Sequence, residues 1–240
     1  MLTIIIPAYN EERRLPQCLR QLIDYVTHHP EVDEVLVVDD GSKDGTVRIF
    51  NQTVGHDSRF RLVTLQRNHG KGYAVRAGIA AAKSQYVLFT DSDLSTPIKY
   101  AEVLLKAAHQ ADIVIGSRKL PTSTITVRQP LHRRLVSRAG DLIRKTFFLS
   151  DIYDTQCGFK LFNRAVVLPI LELARIDRYA FDIELLVIAR ELGLTIREVP
   201  VEWHHDERGT FNVWKAAREV LLNLFRIKLY QWRGFYKHRI

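Results

Sequence analysis

The sequence predicts an α/β fold, a single domain built on a largely parallel sheet flanked by helices and ending in an amphipathic helical tail. Three observations predict it. Short apolar runs alternate with helical patterns through the first half, which is the signature of βαβ units. Runs such as Leu2–Ile6 and Val35–Val38 are continuously apolar, as strands buried on both faces must be. The composition, 46% hydrophobic and 26% charged over 240 residues, is that of a folded chain long enough for a sizeable core.

The expected strands are Leu2–Ile6, Glu34–Val38, Phe60–Leu65, Tyr86–Thr90 and Ile113–Ile115. The helices between them are Glu12–Thr27, Thr46–Thr53, Tyr73–Ala82 and Ile98–Gln110. Helix Glu12–Thr27 places Leu15, Leu19, Leu22, Ile23 and Val26 on one face, a stripe for the core. After Ser117 the alternation stops. Residues Pro121–Pro130, rich in Thr and Ser, read as a loop, and Leu131–Phe148 as a basic helix. A strand-like piece follows at Phe159–Phe162, then helices at Ala165–Glu172 and Phe181–Leu192, a strand at Thr195–Val199 and a last helix from about Asn212.

The composition also excludes. Two cysteines, Cys18 and Cys157, with no Cys-x-x-Cys, rule out a disulfide framework and a cysteine zinc cluster. No apolar run approaches the ~20 residues of a spanning helix. The opening Met-Leu-Thr-Ile-Ile-Ile-Pro has no signal-peptide character, so a cytoplasmic location is expected. The net charge of +8 is concentrated. Arg118–Lys145 carries eight basic residues and one acid, and Arg218–Ile240 six and one. Two local anion sites, against an acidic remainder, fit phosphorylated ligands or an anionic membrane surface. No helix-turn-helix, finger or ribonucleoprotein motif supports nucleic acid as a partner.

In open parallel sheets, ligands bind beyond the carboxyl ends of the strands. Those ends here read Pro7-Ala8-Tyr9-Asn10-Glu11, Asp39-Asp40-Gly41-Ser42, Arg67-Asn68-His69-Gly70-Lys71-Gly72, Asp91-Ser92-Asp93 and Gly116-Ser117-Arg118. No dinucleotide fingerprint or P-loop is present, so a nucleotide's phosphates must be held another way. Asp91 and Asp93, flanking one residue, can bind Mg²⁺ or Mn²⁺, and the ion neutralises a diphosphate.

These motifs, in this order, resemble family 2 glycosyltransferases of the GT-A fold. Asp91-Ser92-Asp93-Leu94-Ser95-Thr96-Pro97 and Asp154-Thr155-Gln156-Cys157-Gly158-Phe159-Lys160-Leu161-Phe162 look like the dolichyl-phosphate β-glucosyltransferase branch, sister to the polyprenyl-phosphate mannose synthases. The resemblance divides the chain into a catalytic domain, residues 1–210, with a nucleotide-sugar half (1–117) and an acceptor half (118–210), and a basic, aromatic tail helix (211–240). It implies a nucleotide-sugar pocket made by Pro7, Ala8, Tyr9, Glu11, Asp39, Asp40, Lys71, Asp91 and Ser92, with metal at Asp91 and Asp93. Asp39 and Asp40 are not separable by sequence. A polyprenyl phosphate acceptor needs no general base, because a phosphomonoester with a second pKa of about 6 is already a nucleophile. Arginine's planar fork suits its phosphate. Arg118 and Arg133 are the candidates, joined by Arg134, Ser137 and Lys160, and Asp93, Arg118 and Arg133 form the expected catalytic set. The reading is an inverting, metal-dependent hexosyltransferase, glucose from UDP-glucose being expected, acting peripherally at the cytoplasmic membrane face. A homo-oligomer or a membrane-protein partner is compatible with the tail. The rival is a family member with a hydroxyl acceptor, which needs a base; Asp154 is the obvious one.

Overall fold

A computed structural model describes residues 1–127, 148–204 and 213–237; of 127 and 213–217 it describes the backbone only. The expected helix over Leu131–Phe148, apart from its last residue, lies outside the described residues, as do Arg133, Arg134 and Ser137.

The strands are β1 (Leu2–Ala8), β2 (Val32–Asp39), β3 (Phe60–Thr64), β4 (Tyr86–Thr90), β5 (Ile113–Ser117), β6 (Thr124–Val127), β7 (Phe159–Asn163), β8 (Ile196–Pro200) and β9 (Glu202–His204). The helices are α1 (Leu15–His28), α2 (Thr46–Val54), α3 (Lys71–Ala81), α4 (Ala101–Ala107, after a 3-10 turn at Ile98–Tyr100), α5 (Arg164–Leu173), α6 (Phe181–Glu191) and α7 (Val213–Trp232). Seven strands form one sheet in the order β3-β2-β1-β4-β7-β5-β8. All neighbours are parallel except β7, which runs antiparallel between β4 and β5.

Burial explains the apolar runs. Consecutive residues Ile4, Ile5 and Ile6 of β1 and Val35 to Val38 of β2 are all fully buried, so both sheet faces are covered. Each such side chain contributes roughly 1.5–3 kcal/mol by leaving water. Helix α3 packs on β1 and β2, and α4 on β5, β7 and β8.

Of the departures from the sequence reading, three bear on the site and its surroundings. Helix α1 begins at Leu15 rather than Glu12, with Pro16 in its first turn; proline has no N–H to donate and is tolerated only there. Helix α3 begins at Lys71, two residues early, so Lys71 sits at its first turn. The Thr- and Ser-rich stretch read as a loop contains β6, which pairs in parallel with β9 as a separate small ribbon. A four-residue and a three-residue strand give too short a period to register in sequence.

Strands β7 and β8 follow Ser117, in the stretch expected to bind the acceptor, yet join the sheet built by residues 1–117. The tail is not detached either. Leu224, Ile227 and Tyr236 are buried in the common core, and the Tyr236 hydroxyl donates to Glu184 Oε1 of α6 at 2.8 Å.

Candidate active site

The loops after β1 and β2 are laced together at the carboxyl edge. Asn10 N–H donates to Ser42 Oγ (2.9 Å) and Lys43 N–H to Asn10 Oδ1 (2.9 Å). Glu11 N–H donates to Thr46 Oγ1 (2.8 Å) and Gly45 N–H to Glu12 Oε2 (2.9 Å). Asn10 adopts φ of +56°, a left-handed geometry that Asn tolerates better than most residues. Together they fix a floor in which Pro7 and Ala8 end β1 and Tyr9 stands exposed.

The two adjacent aspartates separate by their partners. Asp40 is consumed by the loop after β3, accepting from Asn68 Nδ2 (2.9 Å), His69 N–H (2.8 Å) and Gly70 N–H (2.7 Å). Gly70 has φ of +113°, and a Cβ there would meet Arg178 and the Asp177 carbonyl at 2.5–2.6 Å, so Asp40 holds a turn only glycine can make. Asp39 accepts from Ser42 N–H at 3.2 and 3.4 Å. That long bond leaves acceptor capacity for a ligand, whereas Asp40 is a structural strut.

Glu11 precedes α1 and is not its first-turn acid. Arg14 grips its carboxylate through Nε (2.6 Å) and Nη2. Burial pushes the Glu11 carboxyl up, and Arg14 pulls it back. Arg14 Nη1 also lies 3.8 Å from Asp93 Oδ2. This arginine was not among the expected residues. The available signal was a cation at the start of a helix, where the dipole disfavours it unless acids compensate.

Asp91 and Asp93 stand at the end of β4. Asp91 Oδ1 is 2.6 Å from Lys71 Nζ, so the first turn of α3 delivers its lysine to the expected carboxylate. Asp93 Oδ1 accepts Ser95 N–H at 2.9 Å, and the intervening Ser92 is buried. The far side of Asp91 rests on Gly158, where a Cβ would lie 2.1 Å from Asp91 Oδ2. Gly158 was quoted in a motif but not foreseen as part of the site; its position follows from the antiparallel β7, which brings its entering loop to this edge. Among the described residues no group of three or more His, Cys, Asp or Glu could hold a metal. Two partly exposed carboxylates still suit a hard cation such as Mg²⁺, which takes one or two carboxylates and completes its shell with water and substrate phosphates.

Two expected acceptor residues are differently placed. Lys160 is 1% exposed, and its ammonium donates to the Cys157 carbonyl and, at 2.7 Å, to Asp182 Oδ1. It braces the turn carrying Gly158 and is not presented to a ligand. Arg118 directs its Nε (2.7 Å), one Nη (2.8 Å) and its backbone N–H (3.0 Å) at the Asp154 carboxylate. The bidentate edge expected to clasp a phosphate is thereby occupied, and the guanidinium lies 5.3 Å from the Trp203 ring; its remaining N–H groups are what a ligand can use. Burial alone would raise the fully buried Asp154, but Arg118 drives its carboxyl well below the usual range. Glu198 accepts the Asp154 N–H at 2.8 Å and closes the frame.

The glycosyl transferase family 2 model matches residues 3–170. The chain belongs to that family. This family 2 glycosyltransferase is similar to the dolichyl-phosphate beta-glucosyltransferase of Dictyostelium discoideum, at 32% identity over 98% of this chain and 76% of the relative. It is likewise similar to the Homo sapiens protein of that name, at 34% identity over 97% and 77%. Among solved structures, it resembles M. tuberculosis glucosyl-3-phosphoglycerate synthase in complex with Mn²⁺, uridine diphosphate and phosphoglyceric acid, with a TM-score of 0.67 at 21% identity over 95% of this chain and 78% of that one. The fold of this glycosyltransferase is thus the GT-A type. Its Asp39-Asp40 and Asp91-Ser92-Asp93 segments and Gly158 fall within the matched span.

Proposed function

We propose that the enzyme transfers glucose from UDP-glucose to a polyprenyl phosphate, dolichyl or undecaprenyl, by a single displacement that inverts the anomeric centre. The observation that carries this reading is the state of Asp154. A hydroxyl acceptor needs a base, and the carboxylate foreseen for that role accepts three N–H bonds from Arg118 and is fully buried. A carboxylate so held is a poor proton acceptor. A phosphate nucleophile needs none. The names of the relatives favour the same acceptor and sugar.

The residues then divide the task. Asp39 receives donor groups of the base or ribose. Tyr9, with Pro7 and Ala8 behind it, forms the wall of that pocket. Asp91 and Asp93 would hold Mg²⁺ or Mn²⁺, which when bound supplies charge to the departing diphosphate. Lys71, already at Asp91, adds a second cation beside the same oxygens, in a place where fixed charge acts on what develops during transfer. Arg118, with Arg133, Arg134 and Ser137 outside the described residues, orients the acceptor phosphate toward the sugar C1. Gly158 and the Lys160–Asp182 pair keep Asp91 in position. The enzyme works peripherally at the cytoplasmic membrane face, since its acceptor is a lipid.

The test is a transfer assay with undecaprenyl phosphate and a panel of labelled nucleotide sugars, counting label in the organic phase. Label from UDP-glucose that disappears with EDTA is the expected result. Metal-dependent UDP-glucose binding with no organic-phase label would overturn the lipid-phosphate acceptor.

A further inference from the structure

Helix α7 has two apolar faces, and among the described residues only one of them is buried. Asn223, Leu224 and Ile227 point inward and are buried. On the opposite side, at successive steps of three and four residues, stand Arg218, Leu222, Phe225, Leu229 and Trp232, which a helix aligns on one face. Leu221 borders them and is itself exposed. Phe225 is 71% exposed and Trp232 88%. Isolated exposed apolar residues are ordinary, but a contiguous stripe marks a contact surface. Arg226, Arg233 and Lys237 flank it with Lys228, and Glu219 is the one acid in the helix.

We propose that this outer face of α7 is a docking surface for a bilayer containing anionic lipid. The inference rests on the lipid-acceptor reading only for its purpose, not for its observations. Charge complementarity selects the occupant. A second copy meeting the same face about a two-fold axis would bring a basic rim against a basic rim. Anionic head groups meet those cations with opposite charge while the stripe enters the acyl boundary. An exposed tryptophan beside Arg and Lys is the composition suited to a membrane interface. No helix among the described residues is long and apolar enough to cross a membrane, so this attachment lies on the surface.

The placement also serves the chemistry. Leu222 and Arg226 form one wall of a cavity of about 350 Å³ whose other wall includes His69 and Arg178. Arg178 packs against Gly70, which precedes Lys71, the partner of Asp91. A bilayer on the outer face of α7 therefore lies next to the loop that reaches the catalytic edge.

The test uses the full chain and vesicles of phosphatidylcholine, alone or mixed with phosphatidylglycerol. Wild type should sediment with the mixed vesicles and release as salt rises. Phe225→Asp and Trp232→Asp should each lower partitioning about tenfold, and Arg218→Glu with Arg233→Glu should remove the preference for phosphatidylglycerol. These side chains are exposed, so thermal midpoints should match wild type. Transfer to vesicle-embedded polyprenyl phosphate should fall with binding, while transfer to a short, water-soluble isoprenyl phosphate should not. Wild type that ignores both vesicle types, or apolar variants that bind as well as wild type, would overturn the proposal. So would a wild-type dimer in sedimentation that the Phe225→Asp change dissociates. Absence of transfer to either acceptor, with vesicle binding still lost in the variants, would sink the acceptor reading and leave the docking surface standing.

Discussion

Two ion pairs near the strand ends have the same ingredients and opposite characters. Lys71 and Asp91 meet at 2.6 Å with both side chains partly open to solvent. Arg118 and Asp154 meet at 2.7 Å with Asp154 wholly enclosed. The first pair can exchange partners when a ligand arrives, because water already competes for both ends. The second cannot part without stranding a charge in the interior. Lys160–Asp182 repeats the second pattern, while Asp91 and Asp93 remain partly exposed. These two carboxylates are therefore adjustable ligands, and the enclosed pairs are a frame that holds them in register.

That contrast is open to direct attack. Removing an adjustable ligand should cost activity and not stability. Asp93→Ala should lower kcat/KM by about 10³-fold, the size expected for losing metal-borne charge stabilisation at a transition state, with an unchanged thermal midpoint. Removing a frame member should do the reverse. Asp154→Asn leaves Arg118 without its counter-charge and should cost about 3 kcal/mol, a fall of roughly 10 °C in melting temperature by calorimetry. The pH dependence sharpens this. The Asp154 carboxyl is depressed in the folded state, so its contribution is fully present above the ordinary carboxylate value and lost only as pH falls below it. The stability gap between wild type and Asp154→Asn should stay constant from pH 7 down to about 4 and close below that.

Gly158 links the frame to Asp91, and Gly158→Ala should show a mixed result. The new methyl group displaces the Asp91 carboxylate it would overlap, and kcat should fall about 10²-fold, as misplacement by an ångström can cost. The smallest effect separates the adjacent aspartates. Asp39→Asn should weaken UDP binding about tenfold in titration calorimetry, the worth of one charge-assisted hydrogen bond. Asp40→Asn should instead lower the melting temperature, since its carboxylate serves three donors of the β3–α3 loop. Equal effects of the two changes on binding would erase the distinction drawn between them.

Much of this was legible in the chain itself. The five strands of the first half and the helices between them were visible because buried parallel strands are uniformly apolar, as Ile4 to Ile6 are. The edge residues were visible because strand ends are where such a sheet binds ligands. Residue roles that depend on partners were not. Lys160 reads as a surface cation until β7 is seen to insert between β4 and β5 and bury it. Asp39 and Asp40 are indistinguishable until one is found holding the loop at Asn68 to Gly70. Gly158 at Asp91 and Arg14 at Asp93 reach those carboxylates from distant positions that no local period encodes. Which face of the tail meets the core is also settled only by the fold, Ile227 lying inward and Phe225 outward.

The reversed strand β7 has a consequence for how the chain is made. Its neighbours, β4 and β5, are synthesised first and share no ladder with each other, each pairing instead with residues 159–163. A nascent chain ending near Ser117 thus has an unfilled slot in the middle of its sheet and open strand edges on both sides of it. Completing the sheet requires contacts across more than 70 residues, Tyr86 with Asn163 among them, and such long-range closures form slowly. The same event carries Gly158 onto Asp91. A chain interrupted before that point lacks the seat of its own carboxylate, so catalytic competence and completion of the sheet arrive together during synthesis.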